Sequence, residues 1–172
     1  PVYTNATYLT CQYISTIITD CVMYETLTKC SACGNNKNAI TLNNSGTVTS
    51  LCLSTSQYVY NCSYYSNSTG SYVCTVCYTG YTLTTVSSTF KICVRNDLVD
   101  SNCQTYVLNS NNDYECSACL TNYALSLVYT VDGTIKKCLA TATQVIRDCL
   151  VYEVITGGYQ CDTCASTTNI AK

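Results

Sequence analysis

The sequence contains no histidine and no tryptophan, and only one proline and one phenylalanine. Without histidine the side chain most often used as a general base is missing. The ten acidic residues are scattered without a paired motif, and no Gly-rich phosphate loop occurs. Nothing therefore argues for catalysis, and the chain reads as a non-enzyme with no catalytic residues. A single proline excludes a polyproline stalk or a mucin-like segment. Charged residues make up only 10% of the chain and the formal net charge is −2, so no polyphosphate partner such as nucleic acid is implied. From Asn38 to Phe90 there is no charged residue at all. That stretch is rich in Tyr, Val, Ile and Thr, which favour strands. Hydroxyls, amides or attached sugar must keep it in solution, because bare it risks edge-to-edge aggregation. Apolar residues are interrupted every few positions, and no run approaches the ~18 residues of a membrane span. No membrane insertion is expected of this segment. The chain opens at Pro1 without a signal peptide, which reads as a mature or trimmed segment.

What the sequence does hold is sulfur. There are 16 cysteines among 172 residues, a density typical of disulfide scaffolds. The even number suits full pairing. A reducing cytosol keeps such thiols reduced, so the expected location is extracellular or at the cell surface. The chain is long for a single scaffold of this kind, which points to a series of small modules.

Internal repetition is the strongest signal. The cysteines fall in fours: Cys11, Cys21, Cys30, Cys33; Cys52, Cys62, Cys74, Cys77; Cys93, Cys103, Cys116, Cys119; and Cys138, Cys149, Cys161, Cys164. Each set ends in Cys-x-x-Cys. The first cysteines recur at spacings of 41, 41 and 45. The repeats are drawn as residues 1–51, 52–92, 93–137 and 138–172, the last incomplete and open to completion by the N-terminus of a neighbouring copy. The second cysteine always follows Asp or Asn and precedes a Tyr three positions on: Tyr24, Tyr65, Tyr106 and Tyr152. Each such Tyr reads as a packing spacer lying over a disulfide with its hydroxyl in water; a carbohydrate-binding face is the alternative.

From each Cys-x-x-Cys to the next cysteine there are 18, 15 and 18 residues. Eight residues follow Cys164 and ten precede Cys11, so the tail of one copy joined to the head of another reproduces the internal spacing. Either the chain is one window of a longer tandem array, or separate subunits meet head to tail. Coincidence is the plain alternative.

Helix patterning is poor, apart from a possible turn of helix over Val145 to Val151. Short strands and hairpins are expected. Turns are expected at Asn43-Asn44-Ser45-Gly46, Ser68-Thr69-Gly70, Asn111-Asn112-Asp113, Asp132-Gly133 and Gly157-Gly158. The fold class is small, disulfide-rich and mostly β or irregular, as an elongated rod of four tandem modules. Modules this small need bridges for their stability.

After two of the Cys-x-x-Cys pairs comes Gly80-Tyr81-Thr82-Leu83 or Asn122-Tyr123-Ala124-Leu125. Cys-x-x-Cys followed by such a stretch and then two spaced cysteines resembles the cysteine-rich repeats of ciliate surface proteins. More distantly it resembles furin-like, growth-factor-receptor and tumour-necrosis-factor-receptor modules. The first repeat departs most, with Cys33-Gly34-Asn35-Asn36-Lys37 in place of the Gly-Tyr motif. Separated by two residues, the cysteines of Cys-x-x-Cys read as a forked anchor, each reaching a different partner. The resemblance implies in part a crossed forward pairing: Cys30–Cys52 with Cys33–Cys62, Cys74–Cys93 with Cys77–Cys103, and Cys116–Cys138 with Cys119–Cys149. That leaves Cys11, Cys21, Cys161 and Cys164 for links between subunits or within the end modules. The rival closes each set of four internally, as Cys11–Cys30 and Cys21–Cys33. Both stay open at this point.

Zinc ribbons need two Cys-x-x-Cys pairs about 15–20 residues apart, whereas 40 residues lie between Cys33 and Cys74. No metal is expected, and a redox site needs a reactive thiol in a βαβ setting. Four sequons occur, at Asn5, Asn43, Asn61 and Asn67, so N-linked glycans are expected and no other cofactor. Asn61 is the weakest, because Cys62 is expected in a bridge. The functional expectation is a structural extracellular glycoprotein, a subunit or segment of a filament or surface coat that self-associates head to tail. The alternative is the ectodomain or stalk of a ligand-binding or adhesion receptor, whose small-molecule ligand the sequence does not name.

Overall fold

β-branched and aromatic residues alternate here with Ser, Thr and Asn and are broken at short intervals by turn residues, a pattern that suits strands. The computed structural model describes residues 17–67, 70–87 and 90–165. Fourteen strands and no helix occur among the described residues. They are β1 (Cys21–Thr26), β2 (Lys29–Cys33), β3 (Lys37–Asn44), β4 (Thr47–Ser54), β5 (Cys62–Asn67), β6 (Tyr72–Cys77), β7 (Tyr81–Ser87), β8 (Phe90–Arg95), β9 (Cys103–Leu108), β10 (Tyr114–Cys119), β11 (Tyr123–Thr130), β12 (Gly133–Ala140), β13 (Cys149–Ile155) and β14 (Gly158–Cys164). The small, disulfide-rich, mostly β class expected from the sequence is the observed one.

Consecutive strands pair as seven hairpins of two alternating kinds. Primary hairpins (β1–β2, β5–β6, β9–β10, β13–β14) begin at the second cysteine of a repeat and end at its Cys-x-x-Cys. Linking hairpins (β3–β4, β7–β8, β11–β12) follow and carry the first cysteine of the next repeat: Cys52, Cys93 or Cys138. The repeat boundaries drawn from the sequence each fall inside a strand of a linking hairpin. The expected turns all lie between the strands of one hairpin, although Ser68 and Thr69 are outside the described residues. Ser45 and Gly46 both take positive φ, 51° and 90°, the geometry of a two-residue turn matched to strand twist. The expected helical turn near Val145 is absent: Cys149 opens β13, because it must run antiparallel to β14 opposite Cys164.

The chain forms two compact units, Pro1–Cys93 and Val94–Lys172. In the first, a four-stranded sheet runs β4-β3-β5-β6, joined by a parallel step at Leu42 and Tyr65. Its buried residues include Ile40, Leu42, Leu53, Val59 and Tyr65. In the second, the order is β12-β11-β13-β14, and the parallel step pairs Leu127, Val128 and Tyr129 with Val151, Tyr152 and Glu153. Val128, Leu139 and Tyr152 are buried there against Ile135, Cys149 and Tyr159. An apolar cluster of that size cannot hold a fold by itself, so cross-links must contribute much of the stability.

Candidate functional site

Among the described residues, seven disulfides obey one alternating rule. Within each primary hairpin the second cysteine joins the first of the Cys-x-x-Cys: Cys21–Cys30, Cys62–Cys74, Cys103–Cys116 and Cys149–Cys161. The other cysteine of the pair reaches forward to the linking hairpin: Cys33–Cys52, Cys77–Cys93 and Cys119–Cys138. The forked reading of Cys-x-x-Cys therefore holds for the first three pairs. Both proposed pairings are corrected. Cys30 bonds Cys21 and not Cys52, Cys33 bonds Cys52 and not Cys62, and the internal alternative Cys21–Cys33 does not form either. The same correction applies to Cys74, Cys77, Cys116 and Cys119. The reason is local: the first sulfur of each pair is taken up by the second cysteine of its own bulged hairpin, which leaves only the other sulfur to reach forward. Cys21 and Cys161, expected at subunit or end-module links, are used inside their own hairpins.

The rejected partners are nevertheless neighbours. Sγ of Cys30 lies 3.7 Å from that of Cys52, Cys74 lies 3.4 Å from Cys93, and Cys116 lies 3.5 Å from Cys138. Each forward bridge thus rests against the hairpin bridge before it. The resulting triplets, such as Cys62, Cys74 and Cys93, have the proximity of a metal site. Every sulfur in them is already bonded to another, and a metal binds the thiolate.

The four tyrosines three residues beyond the second cysteine are latches, and their hydroxyls are not left to water. The backbone N–H of Ile18 donates to the Tyr24 hydroxyl at 2.8 Å, and that hydroxyl donates back to the Ile18 carbonyl at 3.4 Å. Tyr65 does the same with Val59 (2.8 and 3.0 Å), Tyr106 with Asp100 (3.0 and 3.0 Å) and Tyr152 with Ile146 (2.9 and 3.2 Å). In each case the partner is six residues upstream, so the ring closes the loop that enters the primary hairpin. Tyr65 is only 1% exposed. Burial pushes the Tyr106 hydroxyl above its ordinary value, against the lowering effect of its backbone hydrogen bond.

The Asp or Asn before the second cysteine has a matching role. Asp20, Asn61 and Asp148 adopt positive φ of 65°, 63° and 61°, a conformation these two residue types tolerate. Along with Asn102, each accepts a backbone hydrogen bond from the residue just after Cys-x-x-Cys, at 2.7–3.0 Å, from Gly34, Tyr78, Leu120 and Ala165. The Gly-Tyr and Asn-Tyr motifs are left-handed turns at Gly80 (φ 92°) and Asn122 (φ 71°). Asn36 (φ 55°) takes that position in the first repeat, where the preceding Asn35 (φ 56°) is left-handed as well.

Few charges are present, and most are paired. Asp20 takes a hydrogen bond from Lys37, which holds its carboxyl below the usual range with help from Asn35. Arg95 forks onto Asp97 at 2.7 and 2.9 Å and reaches the buried Asp113 at 3.0 Å. The Arg95 guanidinium lowers the Asp97 carboxyl. Sequence reasoning passed over this cluster because Arg95 and Asp113 come together only when β8 and the β9–β10 turn are in place.

Of the sequon asparagines, Asn5 lies outside the described residues. Asn43 and Asn67 each accept a turn N–H through Oδ1, from Gly46 at 3.1 Å and Gly70 at 2.9 Å, which leaves the amide nitrogens facing away from those bonds. Asn61 is half-buried, and Cys62 inside its sequon is bonded to Cys74. Cys11 also lies outside the described residues, and Cys164 is the one unbridged cysteine among those described.

No protein-family model, curated protein or solved structure matches the chain. The seven bridges belong to an oxidising, extracellular or secreted setting, and no helix among the described residues is long and apolar enough to cross a membrane.

Proposed function

We propose that the chain is an architectural, non-catalytic subunit or segment of an extracellular filament or cell-surface coat, carrying N-linked sugar and joined to its own kind head to tail. The observation that carries this reading is the alternation of hairpin and forward bridges. Each closed hairpin hands a disulfide to the next one along the sequence, a pattern with no built-in terminus. A repeat that contacts its successor through two different faces makes a heterologous contact, which propagates unless it closes into a ring. Bridges of this density suit a demand for protease resistance, and sugar at Asn43 and Asn67 would hydrate the charge-free stretch from Asn38 to Phe90. The likeness to ciliate-type surface repeats is compatible with this role.

Electron microscopy of the native material tests it. Filaments or a regular surface layer, whose repeat is resolved into cysteine-rich hairpins, are expected. Discrete monomers under native conditions would contradict the polymer and favour the receptor ectodomain or stalk.

A further inference from the structure

In the first unit the hairpin β1–β2 faces strands β3, β4 and β5 across a cleft of about 290 Å³. Six of its eight lining residues carry a hydroxyl, and the other two are Lys29 and Val48. Thr41, Ser50 and Tyr64 are half-buried, yet their hydroxyls make no hydrogen bond to any described residue. A hydroxyl both donates and accepts, and several of them gathered in a concavity suit a ligand of the same kind. Tyr64 adds an aromatic ring with a flat apolar face. The Lys29 ammonium uses one N–H on Glu25 at 2.7 Å and keeps two for other acceptors. Hydroxyls, one ring and a cation are the groups that hold a sugar.

In the second unit the same junction is bridged by the protein itself. Leu42 pairs with Tyr65 across the parallel step as Val128 pairs with Tyr152. Thr41, Ser50 and Tyr64 therefore correspond to Leu127, Lys136 and Val151. Lys29 and Glu115 each stand just before the first cysteine of a Cys-x-x-Cys. Lys136 and Glu115 join in an ion pair at 2.7 Å, where the first unit has an open cleft. The sequons follow the same division. Asn43 lies two residues from Thr41, on the same strand face, and pairs with Val48 of the cleft wall. Its counterpart in the second unit is Tyr129, opposite Thr134, and no sequon occurs there.

We infer that this cleft is the seat of the sugar carried by Asn43. The first N-acetylhexosamine units fold back over β3 and β4, lay a C–H face on the Tyr64 ring and share hydrogen bonds with Thr41, Ser50 and Lys29. The occupant is the chain's own glycan because attachment beside the cleft holds sugar there at a high effective concentration. Open cleft and sequon also occur together in one unit and are both missing from the other. The sugar comes to Asn43 from a pyrophosphate-linked lipid donor: Nδ2 bonds the anomeric carbon and loses a proton, and the lipid pyrophosphate leaves.

This seat rests on the glycosylated reading, and the test separates the two. The full chain is secreted from a eukaryotic host with isotope-labelled glycans, and a peptide map checks the seven bridges and the sugar on Asn43. Nuclear Overhauser contacts are expected between the Tyr64 ring and the sugar protons. Endoglycosidase should trim the Asn43 glycan of the native chain several-fold more slowly than that of Tyr64→Ala. The double substitution Lys29→Glu with Ser50→Lys copies the ion pair of the second unit, so it should remove the contacts and the protection while Tyr64 stays; it keeps the test open if Tyr64→Ala does not fold. Sugar on Asn43 that makes no contact and is trimmed equally fast in all chains would overturn the seat and leave the glycoprotein reading standing. Asn43 without sugar would also overturn the seat, and the glycosylated reading falls with it only if every other sequon is bare. An Asn43→Gln chain titrated with free N,N′-diacetylchitobiose should show the Tyr64 signals moving at millimolar concentration. No movement counts against the cleft. Movement there without sugar contacts in the glycosylated chain assigns the cleft to an outside saccharide and overturns the seat.

Discussion

Tyr65 shows how much one hydroxyl carries here. It accepts from the Val59 N–H and donates to the Val59 carbonyl, and its backbone pairs with Leu42 at the parallel step. Tyr65→Phe keeps the ring and strands a buried donor and acceptor, so a loss of about 1–3 kcal/mol is expected in a denaturant titration. Tyr106→Phe, at a more exposed latch, should cost less. The register of these tyrosines was legible in the sequence, since all four stand three residues after the second cysteine. Their hydrogen bonds were not legible, because the partner six residues upstream is a backbone group that leaves no mark on residue type. The second residue-scale expectation concerns acid. Arg95 depresses the Asp97 carboxyl, so folding binds fewer protons there than the unfolded chain does. The contribution is present above the unfolded carboxylate value, about pH 4, and fades as pH falls through the lower folded value. Both side chains are more than a third exposed, at 39% and 36%, so its size is at most about 1 kcal/mol. Melting of wild type and Asp97→Asn should differ near neutral pH and converge in acid; a difference that grows below pH 4 would contradict this sign.

At the scale of elements, the hairpin is the unit that the cysteines serve. A primary hairpin carries its own bridge over 9 to 13 residues, and a forward bridge spans 16 to 19. Removing one complete forward bridge, as in the double substitution Cys119→Ser with Cys138→Ser, should cost about 3 kcal/mol in the chain-entropy description. The double substitution avoids leaving a thiol 3.5 Å from the Cys116 bridge, where exchange would confuse the result. Calorimetry measures it, and an unchanged midpoint would show that β11–β12 is held by its ladder alone. Strand class and turn positions were readable because Ser-Gly, Thr-Gly, Asp-Gly and Gly-Gly steps interrupt the β-branched runs. The partner of each sulfur was not readable: Cys30 has Cys21 bonded to it and Cys52 at 3.7 Å, and a difference that small is set by strand facing and bulges, not by spacing. Bulges in β1–β2, β5–β6 and β13–β14 fall between the second cysteine and its tyrosine, with a further one past Tyr24 in β1–β2, where no glycine announces them.

For the whole molecule, what matters is that every module is closed on itself and tied to the next by separate bonds. That arrangement makes repeats that are locally stable and serially connected, the requirement for a tandem array whose stability is a sum over neighbours. The repeat was legible at this scale from cysteine spacing alone, because four-fold recurrence survives wide divergence in the residues between. The direction of the links was the part that had to come from three dimensions. A non-reducing peptide map, with thiols blocked before digestion, tests it most directly. The alternating pattern requires linked peptides for Cys21–Cys30, Cys33–Cys52, Cys62–Cys74, Cys77–Cys93, Cys103–Cys116, Cys119–Cys138 and Cys149–Cys161. Links such as Cys33–Cys62 or Cys21–Cys33, or these cysteines recovered as blocked free thiols, would contradict it.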